Sequence, residues 1–183
     1  MYMRIAIVLH KDDIPRVLET YELLSNGKYS HASPTMWNAG TIEHYFASCY
    51  LYQAECESLD DTVRTLQDLS SMWEADGGLG INVATVVASK CVMSSRFSSG
   101  RISNHLSSSD PIHAPGIMPL MKLYNGLAQY ASLSSHHRGS SATIYLPIWH
   151  CEIRAFVTCR ATRASPRFRV QNVFPALMIP DLL

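Results

Sequence analysis

Residues 58–87 read SLDDTVRTLQDLSSMWEADGGLGINVATVV, from Ser58 to Val87, and the apolar period changes once along the way. Leu59, Val63, Leu66, Leu69 and Trp73 recur at three- and four-residue intervals, which predicts an amphipathic helix with that stripe inward. Ser58, with Asp61 three residues on, can cap its start, and Gly77-Gly78 closes it. Leu79 to Val87 then reads as a buried strand. A helix, a glycine turn and a strand across 57–87 form a unit of the α/β kind.

The same reading extends outward. Residues 3–9 are rich in Ile and Val but alternate poorly, so a short buried strand and a helix lead-in both fit. Asp12 and Asp13 supply negative charge at a helix start, Pro15 suits a first turn, and Ile14, Val17, Leu18, Tyr21 and Leu24 share one face before Asn26-Gly27 ends it. The run from Tyr29 to Thr41, YSHASPTMWNAGT, reads as turns rich in small hydroxyls, and Cys49 follows directly after Ser48. Residues 89–115 hold nine serines and two prolines, which predicts a long exposed insertion loop. Gly116 opens a helix carrying Met118, Met121, Leu123, Leu127 and Tyr130. Strands are expected over 142–149 and 173–179, with a basic loop over 160–169 between them.

With 183 residues, 47% hydrophobic and 16% charged, the chain can bury a core and carries no mark of disorder. A formal net charge of +0 removes any whole-chain electrostatic footprint for nucleic acid or an anionic membrane. The N-terminal apolar run is too short for a signal peptide core, and no stretch approaches the roughly 18 apolar residues of a spanning helix. Five cysteines, with no C-x-x-C pair, fit a reducing and therefore cytoplasmic setting better than a disulfide framework or a zinc site.

Cys49 is the candidate nucleophile or redox thiol, and a buried free cysteine is the plain structural reading of the same residue. His136-His137-Arg138 reads as a solvated polar loop, and His150 as a packed or capping histidine. Gly77-Gly78-Leu79-Gly80 could bring backbone N–H groups to an anion, yet it lacks both G-x-G-x-x-G and a P-loop lysine.

Seven blocks in order resemble the large (catalytic) subunit of class I ribonucleotide reductase: Met3 to Tyr21; Ser30 to Thr35 with Asn38 to Thr41; Ser48-Cys49; Gly77 to Gly80; Pro119 to Tyr130; Tyr145 to His150; and Ile179 to Leu182. The resemblance implies an α/β fold in which residues 1–183 are the N-terminal half of a ten-stranded α/β barrel, with the insertion at about 89–115. It also implies reduction of ribonucleoside diphosphates, in which a thiyl radical abstracts a ribose hydrogen and a cysteine pair reduces the 2′ carbon. Ser33, Ser48 and Gly78 then resemble substrate contacts, and Cys49 resembles one member of the reducing pair. No cofactor is expected on the chain itself; the family works with a metal-radical small subunit and a dithiol reductant, and a homodimer is implied, with the helix from Ser58 to Trp73 as its candidate interface.

Departures from the family pattern sharpen the expectation. The thiyl cysteine, its neighbouring Asn and Glu and the second cysteine of the pair fall beyond Leu183 in the family's order, so this chain alone is expected to be inactive. Half a barrel also leaves strand edges and apolar surface uncovered. Glu57, Ser58 and Leu59 match the effector-binding helix start, but Glu74 stands where a lysine is usual and Val87 where an arginine is usual. Two cations that would pair with a triphosphate are lost, which disfavours effector binding. Residues 132–138 keep only Arg138 of the family's basic loop. This pattern resembles the degenerate large-subunit homologues of betaherpesviruses, and a non-enzymatic protein binding a host or viral partner is the alternative function, beside a fragment of an active subunit.

Overall fold

The computed structural model describes residues 1–42, 45–56, 58–89, 114–134 and 139–181. The chain opens with a helical hairpin, α1 (Tyr2–His10) and α2 (Ile14–Ser25). Ile5 and Ala6 are adjacent and both fully buried, which a strand, pointing successive side chains to opposite faces, would not achieve against one layer. This resolves the 3–9 ambiguity in favour of helix. Asp13 caps α2, its carboxylate accepting from Arg16 N at 3.3 Å, and Pro15 occupies the first turn where no N–H is required. The buried face of α2 is Val17, Thr20 and Leu24, while Ile14, Leu18 and Tyr21 stay substantially exposed.

The Ser-Pro-Thr run is helical rather than a turn, forming the short α3 (Ser33–Asn38) with Pro34 in its first turn. Arg4 holds its C-terminal end, donating to Met36 O at 3.1 Å and Trp37 O at 3.0 Å. On the other side Thr35 Oγ1 donates to Phe46 O (3.3 Å) and Asn38 Nδ2 to Tyr45 O (2.8 Å). Both bonds moor α3 to the segment that enters the sheet.

Four strands follow with helices between them: β1 (Cys49–Gln53), α4 (Leu59–Glu74), β2 (Gly78–Asn82), α5 (Ile117–Ser134), β3 (Ala142–Pro147), α6 (Ile153–Thr158) and β4 (Val173–Met178). All pairings are parallel, in the order β1-β2-β3-β4, so each connection crosses over through a helix. This is the α/β arrangement expected. β2 is shorter than the predicted 79–87 run because Asn82 Oδ1 accepts from Ala84 N at 3.0 Å and turns the chain out of the sheet.

The helices cover one face of the sheet. Leu69 and Trp73 of α4 and Met121 and Tyr124 of α5 pack on Ile81 and Ile144, all of them 0 to 1% exposed. The predicted α4 stripe is rotated: Thr65, Leu69 and Trp73 face inward, leaving Leu59 72% and Val63 54% exposed. Two polar bonds set that rotation, Thr65 Oγ1 to Glu55 O (3.2 Å) and Trp73 Nε1 to Ser141 O (3.2 Å). Asn125 on α5 accepts from Gln171 N (2.7 Å) and Asn172 N (2.8 Å), fixing the entry to β4. On the opposite face Cys49, Leu51 and Gln53 of β1 alternate outward, and Leu51 is 86% exposed among the described residues. No described helix is long and apolar enough to cross a membrane.

Two acidic protons are locked into this core. Burial holds the Tyr124 phenol well above its ordinary value, with the Cys56 thiol 3.6 Å away adding to the effect, and burial likewise raises the Cys159 thiol against the opposing charge of Arg160. The folded state therefore keeps these protons more tightly than the unfolded chain does. Their contribution is fully present below the ordinary values of 9.0 and 10.0 and is lost as pH rises beyond them. Urea denaturation should show a flat midpoint from about pH 6 to 8 and a progressive fall above about pH 9, and the fall should shrink in Tyr124→Phe.

Candidate functional site

At the N-terminal end of the sheet, Cys49 lies in register with Gly78, and Ser48 O accepts from Gly78 N at 2.9 Å. The structure thus brings Ser48, Cys49 and Gly78 together. The Cys49 thiol is exposed, contrary to the buried reading, and Ser48 Oγ lies 3.7 Å from its sulfur. Because the Gly78 N–H is already used by Ser48, what this glycine offers a ligand is the lack of a side chain beside the thiol. Gly77 is required more strictly, since a Cβ there would meet the Tyr50 ring at 2.4 Å. Ser33 sits exposed at the start of α3, on the element that Thr35 and Asn38 tie to residues 45–46.

The effector candidates lie at the other end of the strands. Ser58 and Asp61 form a closed capping box: Asp61 N donates to Ser58 Oγ (3.1 Å), and Ser58 N and Oγ donate to Asp61 Oδ2 at 3.1 and 2.6 Å. The helix start is therefore satisfied internally and carries the acids Asp60 and Asp61. Leu59 projects into solvent, and Glu57 lies outside the described residues, as do 90–113 of the insertion and His136-His137-Arg138. Glu74 is exposed at the far end of α4, about 24 Å along the helix from Ser58.

Two clusters were not read from the sequence. Asn82 Nδ2 donates to Gln53 Oε1 (2.7 Å) and Gln53 Nε2 to Thr85 Oγ1 (3.3 Å), bridging β1 and β2 at their carboxyl ends. Without β1 being identified, Gln53 had no visible neighbour. The second cluster gathers around Glu152, whose Oε2 accepts from Ser89 N (3.2 Å) and Ile117 N (3.0 Å). Gly116 adopts φ 86 there, and a Cβ on it would come within 2.7 Å of both carboxylate oxygens. His150 has the capping role expected of it: Nδ1 accepts from Glu152 N (3.2 Å) and Nε2 donates to Val86 O (3.3 Å), the neutral tautomer these partners require. Among the described residues no group of His, Cys, Asp or Glu is placed to hold a metal ion.

Residues 47–183 match the family model of the ribonucleotide reductase barrel domain, and residues 1–43 that of the ribonucleotide reductase all-alpha domain. The chain belongs to the ribonucleotide reductase large-subunit family. It is 34% identical over 182 residues to the ribonucleoside-diphosphate reductase large subunit of monkeypox virus, a match covering 100% of this chain and 22% of that protein. The large chain of Schizosaccharomyces pombe is 32% identical over 100% of this chain and 21% of its own length, and the large subunit of Arabidopsis thaliana 31% over the same shares. The chain spans about a fifth of the length of the curated relatives it matches.

Removing the Glu152 carboxylate leaves two N–H groups without their acceptor. Glu152→Ala should cost about 2 kcal/mol or more in denaturant unfolding and speed amide exchange at Ser89 and Ile117, leaving exchange within β1 and β2 unaltered. Unchanged protection at those two amides would show that the carboxylate does not hold them.

Proposed function

We propose that these residues form the substrate side of a ribonucleoside-diphosphate reductase large subunit. The observation that carries the reading is the exposed Cys49 thiol set beside Ser48 and opposite Gly78. The hydroxyls of Ser33 and Ser48 suit a phosphorylated sugar, since a neutral hydroxyl can donate to a phosphate oxygen. Cys49 serves as one thiol of a pair: the two thiols close to a disulfide, their two electrons and two protons replace the 2′-hydroxyl by hydrogen, and the hydroxyl leaves as water. A metal-radical small subunit supplies the initiating oxidation, and a dithiol reductant returns the disulfide to the thiol state.

Regulation by effector nucleotides is weakened in this reading. The capping box engages Ser58 and Asp61 with each other, and Glu74 and Val87 bring no cation to a triphosphate. Ser58 and Glu74 stand at opposite ends of α4, so one ligand could face both only across two chains. That geometry, with Leu59 and Val63 outward, supports a homodimer through α4.

CDP should slow alkylation of Cys49 by iodoacetamide several-fold and leave exposed Cys151 unchanged, and the double variant Ser33→Ala/Ser48→Ala should lose that protection. dTTP and dATP should leave the melting temperature unmoved. Equal protection of Cys49 and Cys151, or a larger thermal shift with dTTP than with CDP, would contradict the assignment.

A further inference from the structure

The connection from α6 to β4 is strongly basic: residues 153–180 contain five arginines and no acidic residue, in a chain of formal net charge +0. Residues 160–167, RATRASPR, are exposed except for half-buried Ala164. Ser165 opens a turn, its carbonyl accepting from Phe168 N at 2.9 Å and Arg169 N at 3.0 Å, and Pro166 takes the turn's second position, where its fixed φ fits. The Ser165 hydroxyl has no partner among the described residues. Arg169 curls back onto the same turn. Its guanidinium donates to the carbonyls of Thr162 and Ala164, while Nε is buried with no acceptor among the described residues. A buried cationic donor without an acceptor is costly, and an anionic oxygen delivered beside it removes that cost.

We propose that Ser165 is a phosphorylation site for a proline-directed serine/threonine protein kinase, and that the Arg169 guanidinium holds the phosphate once it is attached. In the transfer Ser165 Oγ attacks the γ-phosphorus of Mg-ATP, its proton passes to the kinase's catalytic aspartate, and ADP leaves. A residue before proline is kept out of the helical region, so Ser165 already has the extended backbone that a substrate groove takes up, and the neighbouring arginines complement an acidic groove. The chain's other Ser-Pro pair differs on both counts: Ser33 is the first residue of helix α3, and no arginine lies between Arg16 and Arg64. A phosphoserine carries a charge of about −1.5 to −2 at neutral pH and three strong acceptor oxygens. Beside Arg169 it orders the turn through charge-assisted hydrogen bonds and lowers the positive charge of the connection. The turn leads into the stretch that Lys122 and Asn125 anchor at Arg169, Gln171 and Asn172, so the modification stiffens the entry to β4.

The test is to incubate the whole folded chain with a cyclin-dependent kinase and Mg-ATP and to locate the phosphate by mass spectrometry. Phosphate should appear on the peptide carrying Ser165 in the parent chain and in Ser33→Ala, and be absent from it in Ser165→Ala. Phosphorylation should raise the melting temperature by about 2 °C or more. The second ionisation of the phosphate, followed by phosphorus NMR, should fall at least about half a pH unit below its ordinary value of about 6, because the guanidinium favours the dianion. Arg169→Gln should accept phosphate as readily yet show neither the thermal rise nor the lowered ionisation. Comparing each variant with and without phosphate cancels the cost of the substitution itself. Three outcomes overturn the proposal: Ser165 left unmodified in the folded chain, phosphate placed on Thr162 or Ser33 in its stead, or a phosphate that titrates and stabilises identically in the parent chain and in Arg169→Gln.

Discussion

The arrangement around Cys49 depends on a close approach of backbone at residues 77–80. Gly77 lies under the Tyr50 ring, and Gly80 faces Leu51 so closely that a Cβ would stand 2.7 Å from its Cδ2. Missing side chains let β1 come into register with β2, and that register sets the thiol of Cys49 beside Gly78. From β2 the parallel ladder continues to β3 and β4, so the glycines govern the placement of the entire sheet. A side chain at Gly77 would have to push aside an aromatic ring wedged between strand and helix, a change felt in the core as well as at the site.

How much of this was legible in the chain itself depends on how local each determinant is. The α4 cap, the α5 helix and strands β3 and β4 are written in short patterns that tertiary contacts did not override, and the ordered family blocks gave the α/β barrel class. The α4 face was misread because Leu59 and Val63 continue the apolar period while the orientation is decided by Thr65 and Trp73 reaching backbone carbonyls far along the chain. β1 was invisible for a different reason. Cys-Tyr-Leu-Tyr-Gln places its aromatics inward and leaves Leu51 outside, so it lacks the apolar-in, polar-out alternation of a strand with one solvated face. α6 is six residues long, too short for a periodic signal.

Among the candidate residues, motif order singled out Ser48, Cys49 and Gly78, and the sheet register brings these three together. Ser33 is a candidate on the same ground, and its local structure is a helix start and not a turn. Glu152 could not have been found, because its partners Ser89 and Ile117 are 63 and 35 residues away and both bonds are to backbone N–H groups, which leave no trace in side-chain identity.

Glu152 closes the two ends of the 89–117 connection onto one carboxylate, and this has a consequence for how the chain can change over time. The entropy of bringing the ends together is compensated at that single junction, and lengthening the span between fixed ends adds only about 0.6 kcal/mol for each doubling of its length. A change in the length of the connection therefore costs little in closure entropy so long as Ser89 and Ile117 keep their shared carboxylate. The junction makes this the permissive seam of the domain, where new sequence can be tried without remaking the old fold.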